Sequence, residues 1–249
     1  MFGIARFFND NTFGCVVSPV TAAGPPAQTE GLCSATTALT LVPGQQSQRT
    51  KSGDGIGGSV QLPFTKYVDV VASTLYGSGI GRYGSSLLPD VVVAPDGSLS
   101  PIKALHALGG VVVHPWAGLD IYSYAGIEKE QPDYWSIVST GSIKGLTGFG
   151  VPTAINTGCN ITTAASFTGG TSNCAAINKS VTEVTVGFWQ DFYKGNFGRV
   201  AGGFQWAYIG RQSFPGVGVP AGTVGSPGGA ASVSTSDNVF MTTLRWYPF

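Results

Sequence analysis

Apolar and polar residues alternate with a period of two along much of this chain, the pattern of β-strands with one greasy and one wet face. In "SGDGIGGSVQLPF", Ile56, Gly58, Val60, Leu62 and Phe64 fall on one side, with Gly55, Gly57, Ser59 and Gln61 on the other. After a turn near Thr65, Val68, Val70 and Ala72 oppose Asp69, Val71 and Ser73. The alternation returns in "IKALHALGGVVVHP", where Leu105, Ala107, Gly109, Val111 and Val113 stand against His106 and His114. It is clearest in "VTEVTVGFWQDFY", with Val184, Val186, Phe188 and Phe192 opposed to Glu183, Thr185, Gly187, Trp189 and Asp191. A "KGN" turn then leads to Val200, Phe204, Trp206 and Tyr208 facing away from Arg199, Ala201, Gln205 and Ala207.

With the short "FGIARFF" at the start, "LDIYSYAGIEKE" in the middle and "NVFMTTLRWYPF" at the end, about eight strands are predicted. Their connections alternate long and short. Antiparallel order puts the short turns near Thr65, Trp116 and Gly195 at one rim. The long connections, including an irregular stretch over 131–180, and all four cysteines lie at the other. That sorting, with outward apolar residues alternating with inward polar ones, predicts an all-β fold: a transmembrane antiparallel β-barrel forming one domain over 1–249. Hydrocarbon offers the backbone no hydrogen bonds, so strands cross only where every N–H and C=O is paired in a sheet. Tyr67, Trp116, Tyr193, Trp246 and Tyr247, near strand ends, suit headgroup-level girdles.

Composition sharpens this. Charged residues make up 10%, against about 25% in soluble domains, with 37 glycines and 11% aromatics, yet mean hydropathy is only +0.18. No window of 18 unbroken apolar residues suggests a membrane helix. Thirteen basic and thirteen acidic residues leave no basic field for nucleic acid, so no nucleic-acid partner is expected. No charged segment followed by an apolar one precedes the first strand, implying a removed export signal or a start inside a longer protein. The first strand is also shorter than a span of about 9–11 residues, which favours a truncated N-terminus. Eight strands either close alone into a narrow barrel or belong to a wider one. Cys15 with Cys33 and Cys159 with Cys174 form local pairs in polar, turn-rich segments, the spacing of disulfides that close short loops; neither pair has metal-type C-x-x-C spacing.

The closing strand, with Tyr247 and the terminal Phe249, resembles the signal by which the barrel assembly machinery recognises bacterial outer-membrane porins. "LDIYSYAGIEKE", "VTVGFWQDFYKGNFGRVAGGFQWAYIGRQSF" and "LRWYPF" are similar to the C-terminal part of larger porin-like proteins of Gram-negative bacteria, a resemblance over the last half of the chain. It implies residence in the outer-membrane bilayer, insertion by that machinery and passage of small solutes; a homo-oligomer is compatible with it. Arg245 and Thr243 share the alternation of Tyr247 and Phe249, so the register of the last strand is open between that set and Leu244 with Trp246.

Inward polar candidates for a lumen are Asp54, Asp69, Lys103, His106, Asp120, Glu183, Asp191, Arg199 and Arg245. Their mixed signs predict no strong ion selectivity; the plainer alternative is that they only solvate or cross-link a narrow lumen. Tyr122, Tyr124 and Trp189 could line a sugar path by stacking, although strand aromatics more often pack or form girdles. "GIGRYG" over 79–84 matches a dinucleotide-binding pattern, but "SSLLPD" meets Pro89 too soon for the required helix, which favours loop glycines. His106 and His114 lack a serine in a nucleophile elbow, so neither an enzyme nor a cofactor is expected. The first and third long loops are candidates to fold inward as a constriction or to present a recognition surface. The leading expectation is a passive diffusion porin of the bacterial outer membrane. A closed barrel serving as anchor or recognition module is the alternative, and a secreted β-sandwich is less favoured.

Overall fold

A computed structural model describes residues 1–12, 16–18, 40–42, 47–139, 142–156, 159, 175–217 and 230–248. Eight long strands carry the fold: β1 (Phe2–Thr12), β2 (Ser47–Thr65), β3 (Val68–Ser78), β4 (Lys103–Trp116), β5 (Leu119–Glu130), β6 (Asn178–Gly195), β7 (Gly198–Ser213) and β8 (Ser234–Tyr247). Each pairs antiparallel with its neighbours in chain order, giving one eight-stranded meander. The predicted all-β class and the strand count therefore hold. The expected closed ring is not seen: among the described residues no ladder joins β1 to β8, and these are the two edges of the sheet.

β1 runs for 11 residues, not the short span that "FGIARFF" suggested. Its register runs from Phe2↔Gly57 to Thr12↔Ser47, because the 19-residue β2 supplies backbone partners beyond the apolar part of β1. Strand length thus gives no support to the truncation expected from it.

Tight turns join β2 to β3, β4 to β5 and β6 to β7, all at one rim. Gly118 (φ +87°) and Gly198 (φ +100°) supply the left-handed backbone that two of these turns require, where a side chain would be strained. The long connections fall at the opposite rim, and each contains a small hairpin: 16–18 with 40–42, 91–93 with 99–101, 133–139 with 142–149, and 216–217 with 230–231. The 133–149 hairpin corrects the reading of 131–180 as irregular throughout.

The conventional hydrophobic core sits at this loop rim, not beneath the sheet. Ile80, Leu88 and Ile102, all from or beside the β3–β4 connection, are fully buried. Leu75, Ile80 and Ala104 form one cluster with Ile4; Ile102, Phe149 and Phe214 form another with Val92 and Ile177. Phe149 and Phe214 meet edge to face, with centroids 5.3 Å apart.

Candidate functional site

Cross-strand register, together with alternation through the bulges, sorts the strand residues onto two faces. On the outer face lie Ile56, Val60, Leu62 and Phe64 of β2, Val111 of β4, Ile121 of β5, Val184, Val186 and Phe188 of β6, Phe204 and Tyr208 of β7, and Phe240, Leu244 and Trp246 of β8, all exposed. On β6 the usual ranking is inverted: Val184, Val186 and Phe188 are 40%, 41% and 40% exposed, while the Thr185 between them is 8% exposed.

The apolar part of the outer face has the same height on successive strands. It spans Ile56 to Phe64, Val68 to Tyr76, Leu105 to Val113, Leu119 to Ile127, Val184 to Phe192 and Val200 to Tyr208. Each is about nine residues, close to the 9–11 that a tilted strand needs to cross a bilayer. Beyond it on the loop side the same face turns polar, through Asp54, Ser78 and Lys103 in one cross-strand row and Lys129 beside them. At the turn rim it is edged by exposed Tyr67, Trp116, Tyr193, Phe197 and Trp246; the Trp246 indole donates to the Phe197 carbonyl at 3.1 Å.

The opposite face is concave. One cavity of about 960 Å³ is lined from seven of the eight strands, β1 through β7, so the sheet curls around it. Its wall is mixed: Leu75, Leu108 and Val112 alternate with Ser59, Ser73, Asp120, Glu128, Glu183, Thr185 and Gln205. Near the turn rim its charges pair with one another. His114 Nδ1 lies 2.6 Å from Asp120 Oδ1, and since a carboxylate only accepts, this nitrogen carries a proton; Nε2 lies 3.5 Å from Asp69. Arg199 Nε donates to Asp191 at 2.6 Å, and its guanidinium sits 5.3 Å from the Tyr247 ring centroid. Arg245 lies 4.4 Å over Trp189.

At the loop rim the β3–β4 connection, 79–102, folds onto the concave face. Tyr83, Gly84, Ser85 and Ser86 join the cavity wall. Glu128 of β5 holds them: it accepts from the Ser85 N–H at 2.6 Å, the Ser85 hydroxyl at 2.7 Å and the Ser86 N–H at 3.0 Å. His106 Nε2 donates to the Ile80 carbonyl at 3.1 Å. A Cβ on Gly84 would collide with the Glu128 carboxylate and come within 2.6 Å of His106 Cε1, so only glycine permits this approach. Gly84 of "GIGRYG" thus serves loop docking. Farther out, buried Asp90 accepts from Arg6 at 2.7 Å and from the Arg82 N–H at 2.9 Å. Glu130 is 1% exposed, beyond the apolar belt, and neither of its oxygens finds a hydrogen-bond partner among the described residues. Burial, aided by the Asp90 charge, pushes its carboxyl up to about 8.

Of the nine polar residues predicted for a lumen, Asp69, His106, Asp120, Glu183, Asp191, Arg199 and Arg245 share the concave face. Asp54 and Lys103 are on the outer face, in the polar row beyond the belt. Their positions have the parity of Ile56 and Leu105, the signal that places them there. The open register of β8 is settled by Leu244↔Gly202 and Trp246↔Val200: Leu244 and Trp246 face outward, and Arg245 and Tyr247 lie on the concave side. Tyr247 therefore belongs to the Arg199 pair, not to the outer girdle. Phe249 lies outside the described residues, as do Cys15, Cys33 and Cys174; Cys159, which is described, is not free. Among the described residues the loop that folds onto the concave face is the second; most of the first and much of the third, the candidates named from the sequence, lie outside the described residues. The inward course of the second loop depended on Arg6, His106 and Glu128, which alternation within the loop does not report.

No described helix is long and apolar enough to cross a membrane. The chain matches no protein-family model, no curated protein and no solved structure.

Proposed function

We propose that this chain is a membrane-embedded β-sheet wall around a hydrated path, acting as an outer-membrane porin for passive diffusion of small hydrophilic solutes. One observation carries the reading: one sheet face leaves apolar side chains such as Val184, Val186 and Phe188 exposed, while Thr185 between them on the cavity side is buried. In water, exposing Val184, Val186 and Phe188 while covering Thr185 opposes the hydrophobic effect, and the pattern recurs on neighbouring strands. In lipid it is the favourable arrangement. The height of the belt and its aromatic and charged borders support the same placement.

In a bilayer the free edges of β1 and β8 must be paired, since unpaired backbone groups cost several kcal/mol each in hydrocarbon. The sheet then either closes on itself or forms one arc of a wider ring. Transit needs no chemistry: solutes move along the concave face between the paired charges of the turn rim and the loop docked on Glu128. That docked loop also favours a second reading, a closed barrel that anchors or recognises without conducting.

Refolding the full chain into detergent, followed by planar-bilayer recording, tests these readings. Stable unitary conductance is expected. Silence from correctly inserted protein favours the anchor; solubility without detergent and no heat-modifiable migration refute membrane residence.

A further inference from the structure

Three aromatic rings on the concave face approach glycines of the adjoining strands closely. A Cβ built on Gly110 would come within 2.7 Å of Tyr124 Cε1, one on Gly187 within 2.6 Å of Tyr122 Cζ, and one on Gly203 within 3.0 Å of Trp189 Cδ2. Glycine leaves room for each ring close to the backbone beside it, and all three rings line the cavity. Trp189 is already covered by the Arg245 guanidinium at 4.4 Å. The two tyrosines are adjacent, with centroids 5.5 Å apart and planes inclined by 40°. The Tyr122 hydroxyl donates to Gln205 Oε1 at 3.0 Å, fixing that ring's position.

Around the pair stands a fringe of hydrogen-bonding groups that line the same cavity: Asp120, Glu183, Thr185 and Gln205, with Ser85 and Ser86 contributed by the loop. A solute that uses both parts has an apolar face to stack and hydroxyls around its edge. Purely aromatic solutes leave the fringe unpaired, and linear polyols leave the rings unused. We propose that Tyr122 and Tyr124 form a stacking platform for pyranose rings, making neutral oligosaccharides a preferred solute class. This deepens the solute-path reading and rests on it.

The test uses the refolded full chain with maltotriose as probe and sorbitol as the hydroxyl-bearing control without a ring. Calorimetric titration in detergent is expected to show maltotriose binding and no sorbitol binding. Tyr122→Ala and Tyr124→Ala should each weaken it about tenfold, as expected for loss of one stacked ring. Tyr124→Phe, which keeps the ring, should stay within about twofold and guards against a folding defect in the alanine variants. In bilayers, maltotriose should reduce the current over the same concentration range. Conductance without maltotriose binding, or with binding indifferent to both alanine variants, overturns the platform and leaves the pore reading intact. Binding lost in the alanine variants, in a protein that never conducts, upholds the platform and overturns the pore.

Discussion

Placing an arginine along the outer face of β6 separates a membrane wall from a soluble sheet. Val184 and Phe188 share one face, and Phe192, at a bulge, packs against Gly202 of that same face; Phe188 lies midway between the ends of the apolar belt, and all three are exposed, Phe188 by 40%. If that face meets lipid, Phe188→Arg places a cation at mid-depth and costs about 2–4 kcal/mol, whereas Val184→Arg and Phe192→Arg, near the borders, cost about 0–1 kcal/mol. The mid-depth variant is then roughly 30- to 700-fold less favourable in its folding equilibrium. If the face met water, an arginine on a partly exposed strand position would change stability by only about 0.5 kcal/mol, with no dependence on position. Reversible urea unfolding in phospholipid vesicles, followed by tryptophan fluorescence, gives the three values. A profile peaking at Phe188 supports lipid exposure, and Glu183→Arg on the concave face of the same strand should stay near the wild type. A flat profile refutes the assignment of faces.

Further outcomes follow from the loop rim. Glu128→Ala removes the acceptor for Ser85 and Ser86, so the 79–102 loop should leave the concave face; single-channel conductance should rise and amide exchange at Ser85 and Ser86 should accelerate, and an unchanged conductance would show that the loop does not constrict the path. Glu130 has a folded pKa of about 8, above its ordinary unfolded value, so the folded state retains a proton that the unfolded state has lost. Stability should therefore decline as pH rises from about 4.5 to about 8 and then level. Glu130→Gln should flatten this decline and stabilise the protein at pH 7 by on the order of 2 kcal/mol, as measured by urea midpoints across pH. Mass analysis of unreduced peptides should find Cys15 linked to Cys33 and Cys159 to Cys174; free thiols in fresh protein refute both pairs.

The sequence by itself determined the eight long strands, their order and, within a strand, which residues share a face. Period-two alternation is a local property: Val184, Val186 and Phe188 point together because successive Cβ atoms point oppositely, wherever the strand sits. Short turns then force antiparallel neighbours, so the meander and the sorting of loop lengths were legible too. The faces of Asp54 and Lys103 were also written in their parity with Ile56 and Leu105, although their charge suggested the other side. Tertiary structure decided what depends on partners distant in sequence. The extent of β1 came from its ladder with β2, and the register of β8 from Leu244 opposite Gly202. The inward course of the 79–102 loop came from Arg6, His106 and Glu128, residues of three separate strands. The Tyr122–Tyr124 platform was half visible as two tyrosines of one strand. Only pairing across the sheet set Gly110 and Gly187 beside them, because a ring can come this close to the backbone only where the neighbouring strand lacks a side chain.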